Sequence, residues 1–213
     1  MRTGRFITFE GPEGGGKTTQ AKRLIQRLRE HGHEVLYTRE PGGTPTGEAI
    51  RDILQHDKAG EPIAAEAEVF LFAASRAQLV RKVIIPALEK GVIVVCDRFA
   101  DSTTAYQGYG RGFPVEQMLA INAFAIDGAQ PDLTLLLDVP VNLGFQRISE
   151  RQRVLFETSD RIEREEREFH ERVRNGYLAL ARRWPERFLR LDADRDPDRV
   201  EGDVWEAVQR VLP

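Results

Sequence analysis

An eight-residue stretch near the start of the chain has the residue types and spacing of a phosphate-binding loop. It reads GPEGGGKT over residues 11–18 and fits the pattern G-x-x-x-x-G-K-[ST]. Glycines allow backbone N–H groups to converge on phosphate oxygens, and a following helix directs its positive end at the same anion. Lys17 can then bridge the β- and γ-phosphates, while the Thr18 hydroxyl can help to hold Mg²⁺. The stretch therefore predicts a site for ATP or GTP, but it does not say what the protein does with the nucleotide.

A carboxylate that helps to hold the metal is expected at the end of another apolar strand, near the phosphates. Two apolar runs end suitably, one at Asp97 and the other at Asp138. Arg98 follows Asp97 at once, and a carboxylate beside a guanidinium suits the charge of a transferring phosphoryl group. Asp138 is followed by Val-Pro and then by helical sequence, which favours a capping or structural role for it. We therefore predict Thr18 and Asp97 as the metal ligands, with Asp138 as the alternative carboxylate.

The elements that must position these residues follow from the pattern of apolar residues. Short apolar runs alternate with longer segments of helical period, which predicts a parallel sheet covered by helices on both faces. The strands should be short and almost continuously apolar, because both faces of such a sheet are buried. The predicted strands cover residues 5–10, 33–40, 92–98, 133–139 and 187–193. We therefore expect a single α/β domain over residues 1–213 with a five-stranded parallel sheet.

The context of the loop narrows the class of protein. A predicted strand precedes the loop, and an amphipathic helix follows it over residues 19–32, as a phosphate-binding loop requires. No N-K-x-D element follows, which argues against a switch GTPase, and the chain is short for a AAA-type or transport ATPase. These observations favour a small kinase with a separate pocket for its phosphate acceptor. The alternatives are a kinase for another deoxynucleotide or a nucleoside, and a nucleotide switch without an acceptor.

Composition and charge argue against several other classes. Charged residues make up 31% and hydrophobic residues 41% of the 213 residues, as in soluble folded proteins. No apolar run approaches the ~18 residues of a membrane span, and no export signal opens the chain, so we expect a cytoplasmic protein without membrane contact. The net charge of −3 argues against broad nucleic-acid binding. Cys96, in the run VIVVCD, is expected to be a buried thiol, and the scattered histidines 31, 33, 56 and 170 are expected at the surface or in caps.

Six blocks of sequence together resemble one known family. They are FITFEGPEGGGKTTQ (6–20), TREPGGTPTGEAIRDIL (38–54), EVFLFAASRAQ (68–78), CDRFADSTTAYQGYGRG (96–112), PDLTLLLDV (131–139) and DRIERE (160–165). In this order they are similar to the bacterial thymidylate kinases, which phosphorylate dTMP to dTDP using ATP. The resemblance implies an α/β fold of the P-loop nucleoside-monophosphate-kinase type with a short lid, and Mg²⁺ bound together with ATP. It also implies a homodimer formed through packed helices around residues 64–90 and 114–126.

The resemblance implies roles for the residues that contact the phosphates. Lys17 and Arg98 would be catalytic, and Arg98 would reach both the donor and the acceptor phosphate. Arg51 would also bind the phosphate of dTMP, and Glu13 would engage its 3′-OH. Guanidinium groups suit this task because two anionic phosphates must be brought together. The ATP-binding residues would be Gly11, Pro12, Glu13, Gly14, Gly15, Gly16, Lys17, Thr18 and Thr19.

A second set of residues is implied to recognise the base and sugar of dTMP. Phe72 would stack on thymine and Arg76 would donate to its O4 carbonyl, since residues four apart project from one face of a helix. From the residues alone, Phe72 would be interpreted as a core side chain. Thr103 would contact the N3 side of the base, and Gln107 would make another contact to the nucleotide. Tyr106 would lie beneath the sugar and exclude a ribose 2′-OH by its bulk.

The position of Gly14 indicates a subgroup of this family. Some members carry an arginine there that stabilises the transferred phosphoryl group, and in other members a flexible lid supplies the arginine instead. The charged segment around residues 147–162 is the expected lid, because RQRVLFETSD interrupts its helical period. Arg151 and Arg153 are the predicted catalytic arginines of the lid, and Arg147 and Arg161 are the alternatives. A plain exposed helix with a charged face is the other interpretation of this segment.

Overall fold

A five-stranded parallel sheet forms the centre of the computed structural model, which describes residues 3–56, 61–155 and 161–212. The strands lie in the order β2-β3-β1-β4-β5. Their bounds are β1 (Phe6–Glu10), β2 (Val35–Arg39), β3 (Ile93–Asp97), β4 (Leu133–Asp138) and β5 (Phe188–Asp192). All five predicted strands are confirmed, and each is slightly shorter than the run of residues that predicted it.

The burial of each strand explains its sequence. Every residue of the three inner strands β1, β3 and β4 is buried, so these strands are almost continuously apolar. The edge strands β2 and β5 are only partly buried and admit arginine and aspartate. In the parallel register Phe9 lies opposite Asp97, and Glu10 lies opposite Leu136. The carboxyl ends of β1 and β3 are therefore neighbours at the edge of the sheet where the glycine loop begins.

Helices cover both faces of this sheet, as predicted. The helix α1 starts directly at the glycine loop, and Thr44 starts α2 by accepting a hydrogen bond from the Gly47 N–H at 2.9 Å. The helical segments are α1 (Lys17–Glu30), α2 (Pro45–Gln55), α3 (Ala65–Leu79), a π-helical turn (Val80–Ile84), α4 (Ile85–Glu89), α5 (Ala100–Thr103), a second π-helical segment (Thr104–Gly110), α6 (Val115–Ile126), α7 (Val141–Leu155), α8 (Arg167–Arg183) and α9 (Pro197–Gln209).

Three buried apolar clusters join the helices to the sheet. One lies between α1, α9 and the sheet and includes Leu24, Leu28 and Val208. The second lies on the opposite face, under the end of α3 and α4, and contains Cys96, whose predicted burial is confirmed. The third packs α8 and the second π-helical segment on β4, with Tyr177 at its centre. In the described ranges, no helix has both the length and the apolar character needed to cross a bilayer.

The expected lid is partly helical. The sequence predicts that RQRVLFETSD interrupts the helical period, but α7 continues through Leu155, halfway along this stretch. The first five residues of the stretch contain no glycine or proline that would end a helix, which explains the difference. Residues 156–160, the second half of that stretch, lie outside the described residues.

Candidate active site

The side chain of Lys17 is folded back into the glycine loop. Its Nζ donates hydrogen bonds to the carbonyl oxygens of Gly11 at 2.9 Å and Pro12 at 2.7 Å, and the residue is only 6% exposed. Burial, together with the charge of Arg98, lowers the pKa of Lys17 to about 8. Phosphate oxygens are stronger acceptors for an ammonium group than neutral carbonyls. Lys17 could therefore exchange these two internal bonds for bonds to a bound anion.

Thr18 and Asp97 meet at the end of β3. The Thr18 hydroxyl donates to Oδ2 of Asp97 at 2.5 Å, so a hydroxyl and a carboxylate lie side by side next to the loop. Such oxygen atoms are the ligands that Mg²⁺ prefers, and Mg²⁺ is usually held by one or two carboxylates plus substrate phosphates. Among the described residues, no group of three or more His, Cys, Asp or Glu side chains is arranged to hold a metal. The two residues therefore fit a metal ion whose other ligands are supplied by a bound phosphate group and water.

The other candidate carboxylate, Asp138, is engaged elsewhere. Arg174 donates to Asp138 from Nε at 2.7 Å, and Arg190 donates from Nη2 at 2.6 Å. Burial alone would raise the pKa of Asp138, but the hydrogen bonds and charges of the two arginines outweigh this effect and lower the pKa. Asp138 thus joins β4 to α8 and β5, which fits the structural role that the sequence favoured.

Two predicted site residues from distant segments, Arg98 and Tyr106, converge on Glu13 of the loop. Arg98 Nη2 lies 2.5 Å from Oε1 of Glu13, and the Tyr106 hydroxyl donates to the same oxygen at 2.8 Å. The guanidinium group of Arg98 also lies over the Tyr106 ring, 5.3 Å from its centroid. Burial alone would raise the pKa of Glu13, but the charges of Arg98 and Lys17 and the Tyr106 hydrogen bond lower it to about 2. Glu13 is therefore an ionised acceptor at neutral pH.

Arg76 is buried at the centre of a polar network and is 1% exposed. Its Nε and Nη2 bind Oε2 of Glu40 at 2.8 and 2.6 Å, and its Nη1 donates to Thr103 at 3.0 Å and to Asn122 at 2.8 Å. Nη2 also donates to the carbonyl oxygen of Phe99 at 3.3 Å. Each N–H of the guanidinium group thus has an acceptor within the protein. Arg76 can reach a base carbonyl only by releasing one of these partners.

The remaining predicted acceptor-side residues do not all meet in the structure. Thr103 is buried and is held by Arg76, whereas Gln107 donates to Oε1 of Glu68 at 2.8 Å. Phe72 is half-buried on α3. Arg51, on α2, donates from Nη1 to the Pro41 carbonyl oxygen at 2.9 Å. These roles stay predictions, because none of these contacts is to a substrate.

Glu68 is a buried carboxylate that accepts hydrogen bonds from three side chains, and the sequence did not predict it as a site residue. Besides Gln107, its buried carboxylate accepts hydrogen bonds from Arg111 at 3.2 Å and from Arg161. Burial alone would raise the pKa of Glu68, but the hydrogen bonds of Arg111 and Gln107 and the charges of the arginines lower it. Arg161 also donates from Nε to the Leu54 carbonyl oxygen at 3.1 Å. Arg161, an alternative lid arginine, is therefore held at α2 and α3 rather than at the loop.

The arginines of α7 lie at different distances from the glycine loop. Nη1 of Arg147 lies 3.5 Å from the Gly14 carbonyl oxygen and donates to the Ala193 carbonyl oxygen at 2.9 Å. One turn further on, Arg151 is 49% exposed and pairs with Glu163 at 3.0 Å. Arg153 is exposed. The structure thus brings the alternative, Arg147, to the loop, and leaves the two first candidates further out on the helix.

Several polar residues at the site gave little or no signal in the sequence. Glu10 directly follows an apolar run and Glu68 directly precedes one, and this pattern could have marked them as buried acids with a function. Asn122 and Tyr177 carry no local signal, because their partners are far away in the chain.

His170 contradicts the expectation of surface or capping histidines. It is buried between aromatic rings of α7 and α8, and its Nε2 has no hydrogen-bond partner among the described residues.

Comparisons with known proteins agree on one family. The profile of the family described as "Thymidylate kinase" matches residues 9–204. The thymidylate kinase of Deinococcus radiodurans is 51% identical over 208 residues, which are 98% of each chain. That of Synechococcus sp. is 49% identical over 208 residues, or 98% of this chain and 96% of the relative. The crystal structure of thymidylate kinase from Ehrlichia chaffeensis superposes with a TM-score of 0.76 at 34% identity, covering 96% of this chain and 98% of that one.

Proposed function

Because the chain belongs to the thymidylate kinase family and phosphorylates dTMP to dTDP with ATP, we propose which residues perform each part of the transfer. The backbone of residues 11–19 binds the phosphates of ATP. Lys17 leaves its two loop carbonyls and bridges the β- and γ-phosphates as a charged donor. The observation that carries this proposal is the convergence of Glu13, Arg98 and Tyr106 beside the loop that also contains Lys17.

The same three residues form the acceptor side. Glu13 accepts a hydrogen bond from the 3′-OH of dTMP, which suits a carboxylate whose pKa is about 2. Tyr106 lies under the sugar and excludes a 2′-OH by its bulk. Arg98 binds the acceptor phosphate and the transferring phosphoryl group together, so its positive charge offsets their repulsion. Arg51 is the second arginine on the acceptor phosphate.

The base pocket is formed by α3 and the segment from α5 onward. Phe72 stacks on thymine, and Gln107 makes a further contact to the nucleotide. Thymine O4 accepts from Arg76 when Nη1 exchanges one of its present partners, Thr103 or Asn122, for the base. If Thr103 is the partner exchanged, its hydroxyl oxygen becomes free to accept from the N3–H of thymine. Glu40 keeps the guanidinium group in place through this exchange, since it binds Nε and Nη2.

Thr18 and Asp97 are the residues that would hold Mg²⁺. Their adjacent oxygens fit a hard divalent cation, with Asp97 at the end of β3 and Thr18 at the first turn of α1. When bound, Mg²⁺ neutralises charge that develops on the β- and γ-phosphate oxygens. The remaining steps are performed by the chain itself, which positions both nucleotides and excludes water around them.

The chain fits the subgroup whose catalytic arginine comes from a lid over about residues 147–162. A Cβ atom on Gly14 would overlap backbone atoms of Gly144, so a side chain at that loop position would require the loop or α7 to shift. Arg147 and Arg151 are four residues apart on one face of α7, which passes beside the loop. We propose Arg151 and Arg153 as the arginines that reach the phosphates when the lid closes, with Arg147 fixing the base of the lid on Gly14 and Ala193.

Alanine substitution of the α7 arginines tests this assignment. Arg151→Ala or Arg153→Ala should lower kcat about a hundredfold or more with little change in KM for dTMP, because the lost charge acts mainly on the transition state. Arg183→Ala is the matched control, since Arg183 forms an exposed pair with Glu116 away from the loop. If Arg151→Ala and Arg153→Ala both turn over normally and Arg147→Ala does not, Arg147 is the lid arginine.

We also propose that the enzyme forms a homodimer through α3 and α6. These helices pack against each other, and each exposes a large aromatic side chain: Phe70 is 62% exposed and Phe124 is 84% exposed. Aromatic side chains exposed to this degree are typical anchors of protein interfaces.

The proposed location of the enzyme is the cytoplasm, where ATP and deoxynucleotides are available. Fractionation of cells with an antibody against the chain would test it.

A further inference from the structure

Three hydrogen bonds fix the backbone around Arg98. Arg98 has a φ of 68°, in the left-handed region that residues other than glycine rarely adopt. Its N–H donates to the Phe9 carbonyl oxygen at 2.9 Å, and its own carbonyl oxygen accepts from the Cys96 thiol at 3.0 Å. The next N–H, that of Phe99, donates to Oε1 of Glu10 at 2.8 Å. Groups of β1 and β3 therefore fix this unusual conformation.

Glu10 also completes the N-terminus of α5. The N-cap residue of α5 is Phe99, whose side chain offers no acceptor for the first N–H groups of the helix. The Glu10 carboxylate accepts instead, from the Phe99 N–H and, at 3.3 Å, from the Ser102 N–H. In a capping box these two bonds are made by side chains of the helix terminus itself, whereas here a strand residue makes both. Glu10 thus fixes the turn that carries Arg98.

The same carboxylate is linked to the guanidinium group through Tyr177. The hydroxyl groups of Tyr177 and Ser102 donate to Oε2 of Glu10 at 2.9 and 2.6 Å. Nη1 of Arg98 lies 3.5 Å from the Tyr177 hydroxyl oxygen. Burial and the charge of Asp101 raise the pKa of Glu10 to about 7, although Ser102, Arg98 and the Phe99 N–H act in the opposite direction. A fully buried acid has a cost in stability, which is a reason to look for its role in function.

We propose that Glu10 is a positioning residue for phosphoryl transfer. It holds the turn after β3 and the Tyr177 hydroxyl, and through them it directs the Arg98 guanidinium group between the glycine loop and the acceptor phosphate. Glu10 acts through Arg98 and makes no contact with the phosphates. This inference rests on the role proposed above for Arg98.

A double-mutant cycle between Glu10→Ala and Arg98→Ala tests the proposal. For each variant kcat, the KM values for ATP and dTMP, and the thermal unfolding temperature are measured. Glu10→Ala should lower kcat about tenfold or more in the wild-type background, but less than about twofold in the Arg98→Ala background. Equal losses in the two backgrounds, or a lower unfolding temperature with unchanged kcat, would overturn the proposal. If Arg98→Ala alone keeps its kcat, the role of Arg98 is wrong instead, so the two failures are distinguishable.

Two milder variants keep the proposal testable if Glu10→Ala does not fold. In Glu10→Gln the amide oxygen can accept from the Phe99 and Ser102 N–H groups, and its NH₂ can donate to the hydroxyls of Ser102 and Tyr177. We expect this variant to recover kcat to within about threefold of wild type. Tyr177→Phe keeps the ring and removes the link to Arg98, so kcat should fall about fivefold. A normal kcat in Tyr177→Phe, or a large loss in Glu10→Gln, contradicts the proposal.

Discussion

Gly14 of the glycine loop and Gly144 of α7 lie against each other, backbone to backbone. A Cβ atom on Gly14 would overlap the carbonyl group of Gly144, and a Cβ atom on Gly144 would overlap the carbonyl oxygen of Glu13. The loop and the start of α7 can approach this closely only because neither residue has a side chain. The contact therefore places the glycine loop directly against the helix that carries the candidate lid arginines.

Substitution of Gly14 tests the contribution of this contact to stability. Gly14→Ala places a methyl group in occupied space at a φ of 70°, and we expect it to lower the free energy of unfolding by about 2–4 kcal/mol. Gly16→Ala is the matched control, because Gly16 has a φ of 82° but no atom lies within 4 Å of its Cβ position. It should cost about 1 kcal/mol. Urea unfolding without nucleotide measures both, and equal losses would show that the contact with Gly144 is unimportant.

The two strand-end aspartates should respond differently to Mg²⁺. Asp97→Asn removes one of the two proposed ligands, so the Mg²⁺ concentration for half-maximal turnover should rise about tenfold or more. Asp138→Asn should leave that concentration unchanged and lower the unfolding temperature, because Asp138 pairs with Arg174 and Arg190. Turnover measured over a range of Mg²⁺ concentrations distinguishes the two. The opposite pattern would assign the metal to Asp138.

The raised pKa of Glu10 predicts how stability depends on pH. The folded protein keeps the Glu10 proton up to about pH 7, whereas a glutamate side chain in the unfolded chain has its ordinary pKa of 4.5. Between these pH values the folded state binds more protons, so this group's contribution to the free energy of unfolding falls as pH rises. The titratable and polar side chains that interact with Glu10 include Asp101, Arg98, Ser102, Tyr177, Lys17 and Cys96.

Glu10→Gln isolates this effect. The variant cannot titrate, so the difference in unfolding free energy between wild type and Glu10→Gln should decrease from pH 4.5 to pH 7 and become constant above it. Urea unfolding at several pH values gives this difference directly, and other titrating groups, such as Glu40, cancel in it. A difference that is flat or increases with pH would mean that Glu10 is ionised throughout the range.

The exposed phenylalanines predict the behaviour of the proposed dimer. Phe124→Asp or Phe70→Asp places a charge in the apolar contact, and sedimentation should then show a monomer where the wild type is a dimer. Val154→Asp is the control, because Val154 is also an exposed apolar residue but lies on α7. If the wild type sediments as a monomer at micromolar concentration, the dimer proposal is wrong.

The fold could be predicted because its signals are local. Each strand is an apolar run, and α1 shows an apolar face at helical spacing, with Ala21, Leu24, Ile25 and Leu28 all buried as expected. The glycine loop fixes the place of Lys17 and Thr18, since both belong to it. Asp97 could be placed nearby because the carboxyl ends of parallel strands lie at one edge of a sheet.

Other parts of the site could not be predicted, because they depend on contacts between distant segments. The partners of Arg76 come from three segments, at Glu40, Thr103 and Asn122, and together they occupy N–H groups that were expected to face the base. The spacing of the α7 arginines identifies a helix face but gives no distance to the loop. The burial of His170 depends on the packing of α7 against α8, which no local pattern shows.

The sequence by itself determined the class of fold, the loop for ATP and the family, because each of these is encoded in short runs of residues. Only the tertiary structure decided which charged groups meet: Glu13 with Arg98, Glu10 with the turn that holds Arg98, and Glu68 with Arg161. The physical reason is that burying a charged side chain requires a partner, and packing brings that partner from elsewhere in the chain.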